Sequence, residues 1–318
     1  MISIIGSGKV GTAIAYLAAS TSLDDIHLVN RVYYKSLGQQ LDISSAVPSS
    51  SEISVIGTDY SEIKNSEVIV ITASSGDYTK SRTEMMSGQI QMIKDVSKKI
   101  QKFAPDSKVL IVANPVDVLT YTFQKEINCP RQKVIGVASS LDSARFRYLL
   151  AEELDAKQSE IKNALVLGEH GDTMVPVFSG AKFHDEHVSR LLGSRQVGRI
   201  TREVKDYWKI MRNLKGHSIF GIAKNTVDVI RAIIKNEEIS VPASVLLEGE
   251  YGLDDVCMGV PVQISQEGIT KIEEISLDGC ERDLLFQSAD TIRNNIYAKQ
   301  VPLSPQMVMN PEITRGGL

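Results

Sequence analysis

The sequence predicts an α/β protein, with a doubly wound parallel sheet followed by a second, α+β domain. Short apolar runs rich in β-branched residues alternate with helix-period segments through the first half. Those runs lack polar alternation, so their strands are buried on both faces, as in a parallel sheet covered by helices. After about residue 141 the rhythm breaks. Repeated βα units wind a sheet in two directions, and a change of rhythm marks a second architecture.

In chain order the strand candidates are ISII (2–5), IHLV (26–29), ISVI (53–56), EVIVIT (67–72), KVLIVA (108–113) and KVIGVA (133–138). Helical periodicity occupies 9–20, 84–103 and 116–126 between them. Beyond the break come a helix at SARFRYLLAEEL (143–154) and strands at ALVLG (164–168) and TMVPVFS (173–179). Long helices follow within 188–236, then strands at SVPASVLLEG (240–249) and VPVQIS (260–265) and a last helix near 281–297. The tail 301–318 carries three prolines and ends Gly-Gly-Leu, which predicts irregular chain.

Composition narrows the function. With 42% hydrophobic and 23% charged residues the 318-residue chain can build real cores. The net charge of −4, without a basic run, argues against nucleic acid as a partner. Three widely spaced cysteines, Cys129, Cys257 and Cys280, suit a reducing compartment and not a disulfide framework. Only KVGTAIAYLAAS (9–20) could pass for a secretory signal, and it fits another role better; no run approaches the roughly 20 apolar residues of a membrane span. A cytoplasmic protein with no membrane partner is expected.

That other role belongs to GSGKVG (6–11), a G-x-G-x-x-G loop directly after strand ISII that opens helix 9–20. In this context the pattern predicts a dinucleotide site. Gly6 permits the tight turn, Gly8 lets backbone approach a pyrophosphate, and Gly11 lets helix and strand close up. Ser7, Lys9 and Val10 complete the loop, and the helix N-terminus turns its partial positive charge to the phosphates. Residues 1–140 are expected to form the dinucleotide-binding domain and 141–318 the substrate domain. An acid about 20 positions on usually holds the ribose of NAD. Here Asn30 and Arg31 stand instead. Asn30 can hydrogen-bond a ribose without repelling a 2′-phosphate, and Arg31 can pair with one. NAD is expected, with NADP possible.

Three further stretches are VANPVD (112–117), SSLDSARFRYLLA (139–151) and GEHGDTMVP (168–176). With GSGKVG and the loop around Arg82, their order and spacing resemble the lactate and malate dehydrogenase family from residue 1 to about 298. The resemblance implies His170 as acid/base, Asp142 as its partner and Arg145 as the clamp on a substrate carboxylate. The chemistry agrees. Taking a hydride from a secondary alcohol requires a base near pH 7 for the hydroxyl proton, and a buried carboxylate on the other ring nitrogen fixes the tautomer. Gly168 and Gly171 are expected to leave room beside the ring for nicotinamide and substrate.

By the same resemblance Asn114 contacts nicotinamide and the substrate oxygen, and Thr72, Ala73 and Val112 line the cofactor. Gln89 takes a cofactor-contacting place usually held by Asn. Arg82 is brought by the closing loop TASSGDYTKSR (72–82) to the reacting carbonyl, where positive charge stabilises developing negative charge. The family selects malate with a second Arg, and lactate with Gln, about six residues earlier. This loop is one residue short, and Gly76 or Asp77 falls there; Lys80 is the loop's other cation. Ser218 in KGHSIFG (215–221) lines the pocket by resemblance and leaves room for a dicarboxylate. Malate is the expected substrate, lactate or another 2-hydroxy acid the alternative. A homo-oligomer, a tetramer, is implied by resemblance alone.

Competing readings remain. Taken alone, Asp142 and Arg145 at i, i+3 are a helix cap and a surface pair, and His170 a structural histidine. HDEH (184–187) has the look of a metal site but no third ligand cluster, and reads as a polar turn. A metal-dependent NAD-binding glycosidase needs a Cys that GEHGD lacks. A non-catalytic nucleotide-binding protein has no need of His170, Asp142 and two arginines.

Overall fold

The computed structural model describes residues 1–76, 82–127 and 129–297, without the side chains of 82–84. Asp77, Lys80, the Arg82 side chain and the tail beyond 297 therefore lie outside the described residues. Strands β1 (Ile2–Ile5), β2 (Ile26–Val29), β3 (Val55–Thr58), β4 (Val68–Ile71), β5 (Lys108–Ile111) and β6 (Val134–Gly136) pair in parallel in the order β6-β5-β4-β1-β2-β3. Between them run helices α1 (Lys9–Ser20), α2 (Tyr33–Ser44), α3 (Arg82–Phe103) and α4 (Val116–Glu126), and α5 (Ser139–Glu153) leaves the last strand.

The apolar runs feed two cores because successive side chains of a strand point to opposite faces. Ile2, Ile4, Val68, Val70 and Leu110 face α1 and the later helix Phe220–Lys235, meeting Ile14, Ala18, Val227 and Ile230. Ile5, Ile69, Ile71, Val109 and Ile111 face α3 and α4, meeting Ile93, Ile100, Leu119 and Phe123. Each buried Ile contributes about 1.5–3 kcal/mol, which holds both layers on the sheet.

Two elements differ from expectation. The third strand covers 55–58, not 53–56, because Asp25 accepts both the amide (2.7 Å) and the hydroxyl (2.9 Å) of Ser54, and Val55 then pairs with Ile26. Gly57 belongs inside that strand, since a Cβ there would stand 2.7 Å from the Ser36 carbonyl carbon of α2. Helix α2 is not among the sequence expectations; it is more polar than α1 and buries only Ser36 and Ile43.

The second half extends the sheet. Strands Ile239–Glu248, Asp254–Ser265 and Gly268–Ile272 run antiparallel beyond β6, so the nine-stranded sheet is mixed. The join is Ser244 opposite Gly136, where a side chain on residue 136 would stand 2.7 Å from the Ser244 Cβ. A third core packs α5 against Val166 of strand Leu165–Leu167 and Ile200 and Val204 of helix Ser194–Lys215, with Phe146 and Phe178 edge-to-face at 4.8 Å. Among the described residues no helix is long and apolar enough to cross a membrane.

Candidate active site

The strand order reverses between β1 and β4, so the crevice outside their carboxyl ends is where this architecture binds ligands. Three segments meet there. Gly6 (φ +108°) packs so closely that a Cβ would lie 2.5 Å from the Ala73 nitrogen, and one on Gly11 would lie 2.1 Å from the Gly6 carbonyl oxygen. The Thr72 hydroxyl donates to that same oxygen at 2.6 Å. Gly8, in contrast, has no heavy atom within 4 Å of its Cβ position. Helix α1 starts there with neither a side-chain cap nor an acid in its first turn, so its first amides remain for an anion. Glycine loop, open flank and uncapped helix fit a dinucleotide pyrophosphate.

Around this cradle, Ser7 is buried, Val10 half-buried and Lys9 exposed. Asn30 is already engaged: its amide nitrogen donates to Ser7 Oγ at 2.8 Å and its oxygen accepts from the Val32 amide at 2.9 Å. It braces the glycine loop. Arg31 is exposed, and its guanidinium lies 3.6 Å from the Cβ position of Gly76. Gln89 reaches back from α3 to the β4–α3 loop, donating to Ser74 Oγ at 2.9 Å and accepting from the Ser75 amide at 3.2 Å. Val112 is buried and its amide donates to the Ile71 carbonyl at 2.9 Å. Asn114 is exposed beyond the carboxyl end of β5, ahead of a cis bond to Pro115, and α4 begins without a side-chain cap.

The proton-handling group assembles across the other half. His170 Nδ1 meets Asp142 Oδ2 at 2.5 Å, and Arg145 donates from Nη1 to Asp142 Oδ1 at 3.1 Å. Asp142 is 1% exposed and the His170 side chain 18%. Burial pulls the imidazole pKa down, but the Asp142 charge and hydrogen bond, helped by the Asp117 charge and opposed by Arg145, hold it above its ordinary value. The bland cap reading of Asp142 fails. Helix α5 starts at Ser139 with Ala138 as N-cap, so Asp142 lies inside the first turn with its side chain turned to the histidine.

The flanking glycines pack closely against other parts of the protein. Gly168 (φ +86°) exchanges backbone hydrogen bonds with Gly259, and a Cβ on it would stand 2.6 Å from Ser288 Oγ. A Cβ on Gly171 would stand 2.7 Å from the Glu169 carboxyl carbon. Both glycines make room for the protein's own groups. Glu169 in turn accepts from the Thr173 hydroxyl at 2.5 Å, which closes the loop on itself.

Ser218 is half-buried three residues before Gly221, whose Cβ position lies 2.8 Å from Leu141 Cδ1, next to Asp142. Several contributors carried no sequence signal. The Tyr207 ring lies under the Arg145 guanidinium at 4.9 Å, and Ser288 Oγ, distant in sequence, accepts from the Glu169 amide at 2.7 Å. HDEH forms a hairpin turn in which His187 Nδ1 pairs with the Ser179 carbonyl at 2.8 Å. Among the described residues no group of three or more His, Cys, Asp or Glu is placed to hold a metal ion.

Residues 1–136 match the NAD binding domain of lactate/malate dehydrogenase, and residues 139–300 match its alpha/beta C-terminal domain. A malate dehydrogenase of Staphylococcus saprophyticus is 35% identical over 298 residues, covering 92% of this chain and 95% of that protein. An L-lactate dehydrogenase of Halalkalibacterium halodurans is 32% identical over 298 residues, with the same 92% and 95% coverage. Among solved structures, the lactate dehydrogenase of Cryptosporidium parvum, complexed with lactic acid and nicotinamide adenine dinucleotide, has a TM-score of 0.89 at 33% identity, covering 95% of this chain and 98% of that one. With both halves matched, the chain belongs to the lactate/malate dehydrogenase family.

Proposed function

We propose that the protein catalyses reversible hydride transfer between (S)-malate and oxaloacetate, with residues 1–140 holding the cofactor and 141–318 the acid. The observation that carries the chemistry is His170 Nδ1 at 2.5 Å from a buried carboxylate, which leaves Nε2 for the substrate oxygen. When bound, NAD supplies the ring that exchanges the hydride. His170 accepts the hydroxyl proton in oxidation and returns it in reduction, and Asp142 keeps the proton-bearing nitrogen turned inward. Arg145 clamps the substrate carboxylate; its planar guanidinium is held between Asp142 and the Tyr207 face. Asn114 and Arg82 are assigned to the reacting oxygen.

Malate is favoured by Ser218, a small half-buried side chain beside the Leu141 turn, which leaves space for a second carboxylate. Lactate is the second reading, because Gly76 brings no cation to the selecting loop. NAD is the principal cofactor. NADPH is also used, since no acid follows β2 and Arg31 stands exposed there. Mixing reduced cofactor with oxaloacetate, pyruvate or neither, and following absorbance at 340 nm, tests all of this. Faster decay with oxaloacetate than with pyruvate is expected; a preference for pyruvate overturns the malate reading, and no decay with any 2-oxo acid overturns the enzyme. We further propose a cytoplasmic homotetramer, supported by exposed Tyr34 and Leu41 on α2 and by exposed Phe220. Light scattering checks this against four times the 34.9 kDa chain mass.

A further inference from the structure

A second buried carboxylate, whose charge acts on the imidazole, has no role yet in the proton transfer above. Asp117, in the first turn of α4, is 3% exposed. Its Oδ2 accepts the His170 backbone amide at 2.8 Å, and its Oδ1 accepts the Ser244 hydroxyl at 2.6 Å. Ser244 is the residue through which the antiparallel strands join β6. One side chain thus pins the cofactor half, the histidine loop and the sheet junction at a single point. We propose that Asp117 is a positioning residue for His170: it fixes the loop that carries the ring and places a second negative charge behind it.

This rests on the proposed acid/base role of His170. Burial is the largest influence on Asp117, pushing its pKa up to about 6 against the Ser244 and His170 hydrogen bonds and the His170 charge, with Glu169 adding to the rise. The other groups around the pair are Asp142 and Arg145 from α5, and Cys257 from strand Asp254–Ser265, whose thiol burial and the Asp117 charge push well up. An ionised Asp117 favours the protonated imidazole, the form that returns a proton to a 2-oxo acid. A neutral Asp117 withdraws that support.

Asp117→Asn separates charge from placement. The asparagine oxygen still accepts the His170 amide, and its NH2 donates to Ser244 Oγ, because a hydroxyl serves as either partner. Two readouts apply to the full-length protein: NMR titration of the His170 ring, assigned against His170→Gln, and kcat/KM for oxaloacetate reduction against pH. Both are expected to move to lower pH by at least ~0.5 unit, about threefold in rate on the alkaline side. Ser244→Ala removes one donor from the carboxylate, favours its neutral form, and moves the titration the same way by less; it serves if the first variant does not fold. An unmoved His170 titration in a folded variant overturns the proposal. Because the NMR titration needs no turnover, it decides the matter even if no 2-oxo acid is reduced.

Discussion

Asp142→Asn probes the proton pathway directly. Each carboxylate oxygen has its own partner, Oδ2 the His170 ring at 2.5 Å and Oδ1 the Arg145 guanidinium at 3.1 Å. An asparagine accepts at one oxygen only. Arg145 has donors alone, so the oxygen stays with it and the NH2 turns to His170, where it requires an acceptor. The ring then offers Nδ1 as acceptor and carries its proton on Nε2, the tautomer that cannot take a proton from a substrate hydroxyl. A charge-assisted hydrogen bond to the imidazolium is also lost, roughly 1.5–3 kcal/mol, or about 10- to 150-fold in rate. The effect of burial is then less opposed, so the imidazole pKa falls. The assay is kcat/KM for 2-oxo acid reduction at pH 7, beside NADH affinity from its fluorescence. A loss of at least about tenfold with affinity kept within about twofold is expected. A folded variant as active as its parent refutes the reasoning.

Arg145→Lys keeps a charge but loses the planar fork and the stacking on Tyr207, so KM for the acid should rise roughly tenfold or more while kcat changes less; steady-state kinetics with an unchanged KM contradict the clamp. Gly11→Ala forces a Cβ to 2.1 Å from the Gly6 oxygen and should lower the unfolding free energy by about 1–3 kcal/mol, whereas Gly8→Ala meets no protein atom and should leave Tm unchanged while weakening NADH binding; denaturation and fluorescence titration separate the two. For pH, the folded pKa of Asp117, about 6, lies above the 3.8 of an unburied Asp, so the folded state binds more protons between those values. The stability it contributes is fully present below about pH 4 and lost as pH rises through about 6, up to ~3 kcal/mol. Relative to its parent, Asp117→Asn should therefore gain stability as pH is raised from 4 to 7 in urea unfolding; a constant difference across that range shows that Asp117 does not titrate there.

Much of the parallel sheet was legible because its strands are continuous apolar runs, and IHLV and helix 9–20 fall where they were expected. Elsewhere tertiary contacts overrule local pattern. Ser54 is captured by Asp25, which moves the strand start, and Gly57 stands inside the strand because α2 packs over it. The antiparallel extension was not legible, because which edge of a sheet a later hairpin joins depends on the space left at Gly136. In the candidate site, His170, Asp142 and Arg145 stood out through motif order, and the structure brings them together. Gly168 and Gly171 mark space beside the ring in the sequence, but that Ser288 and Glu169 pack against them is a matter of three-dimensional packing.

The site's geometry depends on contacts between distant parts of the chain more than on any one motif. Asp142 holds the ring from α5, Asp117 holds the backbone of the same residue from α4, and the two helices flank β6. The imidazole is thus tied by side chain and by main chain to helices on either side of the strand that the antiparallel extension joins. A shift of that junction by an ångström would pull the two carboxylates apart relative to the ring, and both hydrogen bonds weaken steeply with such a displacement. The positional tolerance of the acid/base group is therefore set at Gly136 and Ser244, outside the GEHGD motif itself, and it is there that core substitutions should impair turnover without touching substrate.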